Sequence, residues 1–346
     1  MNERRKGGTM EKVLLNMKAI SKTFGSVQAL KEVSLDLYAG EVLALMGENG
    51  AGKSTLMNIL SGSLQPTKGE IYLKGEKVTV PGPIAAKKLG ISKIHQELQI
   101  VPEMSVAENI FLGRWMKKKG GSVDFKTMAA EARKYLEMLD VHVDPATKLK
   151  DLRIGEQQLV EIAKAISLNS EIIIMDEPTS AISEKEAEKL FTIIRKLRSE
   201  GKGIIYITHR MEEIFQIADR LTVMRDGTYI GTVKASETSK DEIIKMMVGR
   251  DMSEQYPKDP TEKGEIALKV ENLTYTPPAG SFRRSLKNIS LHVRHGEVLG
   301  IAGLAGAGRS ELFECLAGVH YKDTTAKISI DGKEVTIKNP ADAIKA

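Results

Sequence analysis

The stretch that most limits what this chain can fold into is residues 41–60, EVLALMGENGAGKSTLMNIL. Residues 41–46 are an apolar run that predicts a buried parallel strand, and Leu56, Ile59 and Leu60 then recur at helical spacing. Between them stand Gly47, Glu48, Asn49, Gly50, Ala51, Gly52, Lys53, Ser54 and Thr55. The glycines let the backbone curl until successive N–H groups point inward, and the helix that follows adds the positive end of its dipole. Such a nest fits the phosphates of a nucleotide. Lys53 is placed to reach the β and γ oxygens, and the Ser54 hydroxyl to hold a magnesium ion. A glycine-rich turn packed for its own sake needs no Lys-Ser pair at the helix start, so the motif reads as a P-loop.

A second signal is EIIIMD at 171–176, followed by Glu177 and Pro178. Four apolar residues in a buried strand deliver Asp176 and Glu177 to its carboxyl end, where parallel α/β sheets place their ligands. One carboxylate there suits magnesium and its neighbour can take a proton from an attacking water. The bland alternative is a strand-end pair capping the next helix. Residues 90–96 form another apolar strand whose end carries His95 and Gln96, and residues 203–207 lead into Thr208, His209 and Arg210. His209 reads either as a hydrogen-bonded structural histidine or, at the end of a parallel strand beside the carboxylates, as a catalytic one.

Around these signals the chain divides readily. Residues 1–12 are polar and predict a loose tail, with Met10 a second candidate start. Period-two alternation over 14–20 and 33–37 predicts two antiparallel edge strands. Phe24, between them, is either core or an aromatic platform for a purine. Residues 69–72 and 78–80 predict a strand pair closed by Lys74, Gly75 and Glu76. Helical periodicity over 126–139 and 159–166 marks a helical insertion of about 101–165. Ser183 and Glu186 form a capping box that opens a helix ending near Gly201, a hairpin turns about Asp226 and Gly227, and 240–248 is a final amphipathic helix. This first domain spans 13–248. Residues 249–264, charged and carrying Pro257 and Pro260, predict a linker, and 265–346 a second domain.

Composition adds bounds. The net charge of +5 is mild for 346 residues, with basic and acidic side chains interspersed, and does not argue for nucleic acid. Lys117, Lys118 and Lys119 read as a solvated loop. Cys315 is the only cysteine, so no intramolecular disulfide is possible and a reducing compartment is expected. No apolar run reaches the roughly 18 residues of a membrane helix, so work at a membrane implies other chains that span it.

The second part copies the first. Residues 30–35, LKEVSL, return as LKNISL at 286–291, Gly40 to Leu43 return as Gly296 to Leu299, and Gly47 as Gly303, all displaced by 256 positions. The copied loop runs from Gly303 through Gly308, Arg309 and Ser310, with Arg309 where the first copy has Lys53. A planar guanidinium does not freely replace a compact ammonium in a tight phosphate nest, which predicts weak or non-hydrolytic binding there. Past the loop one residue is inserted, and the equivalent of Gln96 would fall beyond Ala346. The second copy is therefore expected to be incomplete and marginal unless it docks on the first domain.

Gly47 to Thr55, Gln96, the run Leu152-Arg153-Ile154-Gly155-Glu156-Gln157-Gln158, Asp176 with Glu177, and His209, in that order, resemble the nucleotide-binding subunits of ABC transporters. The tandem arrangement, VAENIFLGR at 106–114 and GEQQLVEIAKAI at 155–166 resemble the ribose, galactose and xylose class of bacterial sugar importers. The resemblance implies an α/β P-loop NTPase with a mostly parallel core sheet, antiparallel edge strands and an inserted helical subdomain, its second copy truncated. It implies an ATPase that energises solute import from the cytoplasmic face of the membrane. It assigns Phe24 to adenine stacking, Asp176 with Ser54 and Gln96 to magnesium, Glu177 to general base, and His209 and Gln96 to the γ-phosphate. Expected partners are transmembrane permease subunits, with a helix near residues 98–111, an extracytoplasmic solute-binding protein acting indirectly, and a second nucleotide-binding domain closing head to tail. Nucleic acid is not an expected partner.

Two departures stand out. The family signature is Leu-Ser-Gly-Gly-Gln, whereas Arg153 replaces the serine and Ile154 the first glycine. In a head-to-tail pair that signature faces the Arg309 loop, so both halves of one composite site are altered. The chain alone is therefore expected to bind MgATP through its first domain and to hydrolyse it poorly. The other readings are a soluble tandem ATPase acting on ribosomes or nucleic acid, and a non-catalytic ATP-binding fragment.

Overall fold

Five consecutive buried residues need strand neighbours on both edges and cover on both faces, and three such segments organise the first half of the molecule. The computed structural model describes residues 5–6, 9–10, 12–96, 98–249, 262–278, 280–281, 283–303 and 306–346. It divides into two compact units, Met1–Met252 and Ser253–Ala346. Of the expected tail, the strands β1 (Arg5–Lys6) and β2 (Thr9–Met10) pair antiparallel. Most of the expected linker, residues 250–261, lies outside the described residues.

In the first unit, β3 (Val13–Phe24) and β4 (Val27–Tyr38) form a long antiparallel pair, followed by β5 (Val42–Met46), α1 (Lys53–Leu60), β6 (Lys68–Leu73) and β7 (Glu76–Val78). The last strand starts earlier than the predicted 78–80. The connection is the two residues Lys74 and Gly75, with φ of +50° and +89°, the left-handed pair that matches strand twist, and Glu76 already pairs with Leu73. Then come α2 (Pro83–Lys88), β8 (Ile91–Ile94), α3 (Val106–Ile110), α4 (Phe125–Met138) and α5 (Ile154–Ile166). They lead into β9 (Ile172–Asp176), α6 (Glu184–Ser199), β10 (Gly203–Ile207), α7 (Met211–Ile217), β11 (Arg220–Arg225), β12 (Thr228–Lys234) and α8 (Lys240–Val248). Helix α5 begins five residues ahead of the predicted 159, because the Glu156 carboxylate accepts from the Arg153 N–H at 2.9 Å and closes its first turn.

The central sheet has the order β12-β11-β5-β10-β9-β8, parallel except for β12. Its strands alternate between two cores. Val42, Ile173, Met175, Ile204 and Tyr206 pack on the helical side with α3 to α6, while Leu43, Leu45, Ile172, Ile174, Ile205 and Ile207 face α1 and the antiparallel sheet β4-β3-β6-β7. At the amino-terminal end of the sheet sits a charged knot. Glu41 accepts from the Tyr38 N–H at 2.8 Å and lies 3.4 Å from Arg220, which also meets Asp36. Burial pushes the Glu41 carboxyl up to about 7, the Arg220 guanidinium opposing but not overcoming it.

The second unit contains β13 (Ile266–Tyr275), β14 (Leu286–Arg294), α9 (Arg309–Leu316), β15 (Thr324–Ile330), β16 (Lys333–Val335) and α10 (Pro340–Lys345). Its sheet order β14-β13-β15-β16 repeats β4-β3-β6-β7 strand for strand. The duplication extends to the turn: Gly52 and Gly308 have φ of +94° and +90°, and a Cβ on either would strike the equivalent leucine, Leu30 or Leu286, at 2.7 and 2.6 Å. The copy of β5 does not form a strand: residues 297–303 carry no ladder, and Val298 is 98% exposed. In the first unit β5 is held between β10 and β11, and among the described residues of the second unit nothing pairs with this segment. Among the described residues no helix is long and apolar enough to cross a membrane.

Candidate functional site

Because β5, β8, β9 and β10 run parallel, their carboxyl ends share one edge of the sheet. There they open into a cavity of about 600 Å³ lined by Asn49 to Thr55, Gln96, Asp176, Glu177, Ile207, His209 and Ala29. The loop geometry follows from its glycines. Gly47 has φ of +152° and a Cβ there would lie 2.3 Å from the Met224 carbonyl, whereas Gly50 at +86° has open space before it. The side chain of Lys53 curls back over the turn, donating to the carbonyls of Gly47 at 2.7 Å and Glu48 at 3.0 Å. Burial lowers the pKa of Lys53, opposed by the nearby charges of Asp176 and Glu177.

Glu177 is where four segments meet. Its φ of +48° is a left-handed conformation that non-glycine residues rarely adopt, and its N–H donates to Ile207 O at 2.9 Å across to β10. One carboxylate oxygen lies 3.4 Å from His209 Nδ1, and the other accepts from Gln96 Nε2 at 3.4 Å. A second network stands just behind. The buried Glu213 carboxylate accepts from Thr179 Oγ1 at 2.7 Å and from the Tyr206 hydroxyl at 2.9 Å, tying the segment after Glu177 to the one after His209. Ser54, Gln96 and Asp176 line the cavity and carry hydroxyl, amide and carboxylate oxygens, the hard donors that suit magnesium rather than a soft metal. Among the described residues no group of three or more His, Cys, Asp and Glu side chains converges as a metal centre.

The structure thus brings together the P-loop, Gln96, Asp176, Glu177 and His209. Phe24, 45% exposed at the end of β3 with Lys22 Nζ 5.1 Å from its ring, is not among the lining residues. Leu152, Arg153, Ile154, Gly155 and Glu156 lie apart from the cavity, where they lead into and open α5, with Ile154 exposed. In the second unit Gly308, Arg309 and Ser310 open α9 as Gly52, Lys53 and Ser54 open α1, while Leu304 and Ala305 lie outside the described residues. Sequence reasoning missed Lys93, whose Nζ lies 3.4 Å from Asp176 Oδ2 and donates to Asn58 Oδ1 at 2.9 Å. A lone lysine inside the apolar run Ile91 to Ile94 was the available signal.

Strand, glycine loop, helix and distant carboxylates define a nucleotide-phosphate-binding P-loop class. Comparison with known proteins narrows it. The ABC transporter family model matches residues 30–180 and 286–345. A ribose import ATP-binding protein of Caldanaerobacter subterraneus subsp. tengcongensis is 49% identical over 332 residues, 96% of this chain and 65% of that protein. One from Clostridium tetani is 50% identical over 337 residues, 97% and 65% of the two chains. Among solved structures, an ATP-binding cassette of an ABC transporter in its ADP conformation is 30% identical with a TM-score of 0.60, covering 70% of this chain and all of that one. A dimeric cassette bound to ADP and phosphate is 28% identical with a TM-score of 0.57, covering 64% and 99%. The chain belongs to the ABC transporter family, and its fold is that of the ABC ATPase cassettes. It spans slightly less than two thirds of the length of these sugar-import relatives.

Proposed function

We propose that the first unit binds MgATP and supplies the ATPase of a bacterial importer for ribose or a related small solute. The observation that carries this reading is the convergence of Lys53, Gln96, Asp176, Glu177 and His209 on one cavity at the carboxyl edge of the sheet. The loop N–H groups and Lys53 hold the β- and γ-phosphates, and Ser54, Gln96 and Asp176 hold magnesium. Magnesium, when bound, neutralises charge that develops on the phosphate oxygens. Glu177 accepts a proton from the attacking water, oriented from either side by Gln96 and His209. Phe24, beyond the cavity wall, stacks on adenine. The Lys53 site is completed by the signature of a second nucleotide-binding domain, the signature at 152–156 faces the Arg309 loop of such a pair, and that loop binds nucleotide weakly or without hydrolysis.

The partners in this reading are transmembrane permease subunits, with an extracytoplasmic solute-binding protein acting through them, and the chain works on the cytoplasmic face of the membrane. The sugar-import names of its relatives favour this over a ribosome- or nucleic-acid-directed ATPase. Calorimetry tests the core of it: wild type should take up MgATP, and Lys53→Ala should lose about tenfold or more in affinity, roughly 1.4 kcal/mol. Undiminished binding by Lys53→Ala would overturn the assignment.

A further inference from the structure

An ammonium inside an apolar strand is expensive to bury unless something answers its charge. Lys93 is the third residue of β8, between Ser92 and Ile94, and its side chain is only 6% exposed. It is met from two elements: Asn58 Oδ1 on α1 accepts at 2.9 Å, and Asp176 Oδ2 at the end of β9 lies 3.4 Å away. Asp176 lines the cavity and Lys93 does not, so the lysine stands behind the carboxylate. The charged groups gathered here are two ammoniums, Lys53 and Lys93, against two carboxylates, Asp176 and Glu177, and the formal sum is zero. Remove Lys93 and the site carries one net negative charge.

We propose that Lys93 is a positioning residue and an internal counter-charge for Asp176. It ties the P-loop helix to the acid-bearing strand, commits one oxygen of Asp176 and leaves the other for the cavity. With the site electrically balanced, a free divalent cation gains little by entering alone, while a triphosphate meets no net repulsion. The metal is then retained mainly when phosphate oxygens arrive with it. This inference rests on the nucleotide-site reading given above.

The test uses the purified chain, Lys93→Met as a variant of similar length without charge, and Lys93→Arg as a rescue. Free Mn²⁺ binding without nucleotide is followed by electron paramagnetic resonance, and ATP binding in excess chelator by calorimetry. Lys93→Met should bind free Mn²⁺ about tenfold tighter and metal-free ATP about tenfold weaker, each shift roughly 1.4 kcal/mol. Lys93→Arg should return both toward wild type. Opposite shifts are a signature that structural damage would not produce, since damage weakens both. Shifts in the same direction, or both under about twofold, would overturn the proposal, and Lys93→Gln carries the same measurements if the Met variant does not fold. A wild type that takes up no MgATP would instead sink the nucleotide reading, and the free-manganese comparison would still report on Lys93.

Discussion

Glu41 and Lys93 are both charged residues folded into apolar surroundings, and the protein answers them differently. Lys93 has a carboxylate and an amide oxygen, whereas Glu41 shares Arg220 with Asp36 and stays expensive to ionise. With its carboxyl pushed up to about 7 from an ordinary 4.5, the folded chain holds a proton that the unfolded chain has released across that interval. Its contribution to stability is therefore fully present below about pH 4.5 and lost as pH rises through about 7. Urea unfolding at pH 5 and pH 8 should show wild type losing roughly 1–3 kcal/mol more than Glu41→Gln over that range. Equal losses in the two proteins would remove Glu41 as the cause.

Among elements, the legible ones were those whose signals are local. The pentapeptides of β5 and β10, the Ser183 box at α6 and the Asp226-Gly227 hairpin each lie where apolar run, cap or turn chemistry placed them. The capping box is complete: Ser183 Oγ accepts from the Glu186 N–H and the Glu186 carboxylate accepts from the Ser183 N–H. Ser183→Ala should lower unfolding free energy by about 1 kcal/mol while leaving nucleotide affinity unchanged, read by denaturant titration alongside calorimetry. Two boundaries fell elsewhere because turn and cap geometry, which hydrophobic periodicity does not carry, set them. β7 starts two residues early because the turn before it is tight, and α5 starts early because Glu156 reaches back to Arg153. The cavity was legible because four separate motifs follow strands of one parallel sheet. The role of Lys93 was not, because its partners come from α1 and β9, elements distant in sequence, and strand periodicity alone says nothing of them.

For the molecule as a whole, two units carry separate cores, the first with the central sheet and three clusters against it, the second with a small cluster around Val270, Leu273, Tyr275 and Leu286. The single tryptophan, Trp115, packs against the helical core of the first unit, donating its indole N–H to Glu108 O at 3.3 Å. Thermal unfolding followed by Trp115 fluorescence should therefore rise with MgATP, by an amount equivalent to about 2.7 kcal/mol at a hundredfold excess over Kd. An unmoved tryptophan transition at saturating nucleotide would place binding elsewhere.

The matched glycines at 52 and 308, each pressed on its own leucine, have a bearing on how relatives of this protein should be recognised. What forbids a side chain at either position is the left-handed backbone first and the neighbouring hydrocarbon second, whatever occupies the bend. Spacing of such residues thus follows the scaffold, and it is the same in both copies although the residue after the glycine is Lys53 in one and Arg309 in the other. Cargo must be argued from 53 and 309 themselves.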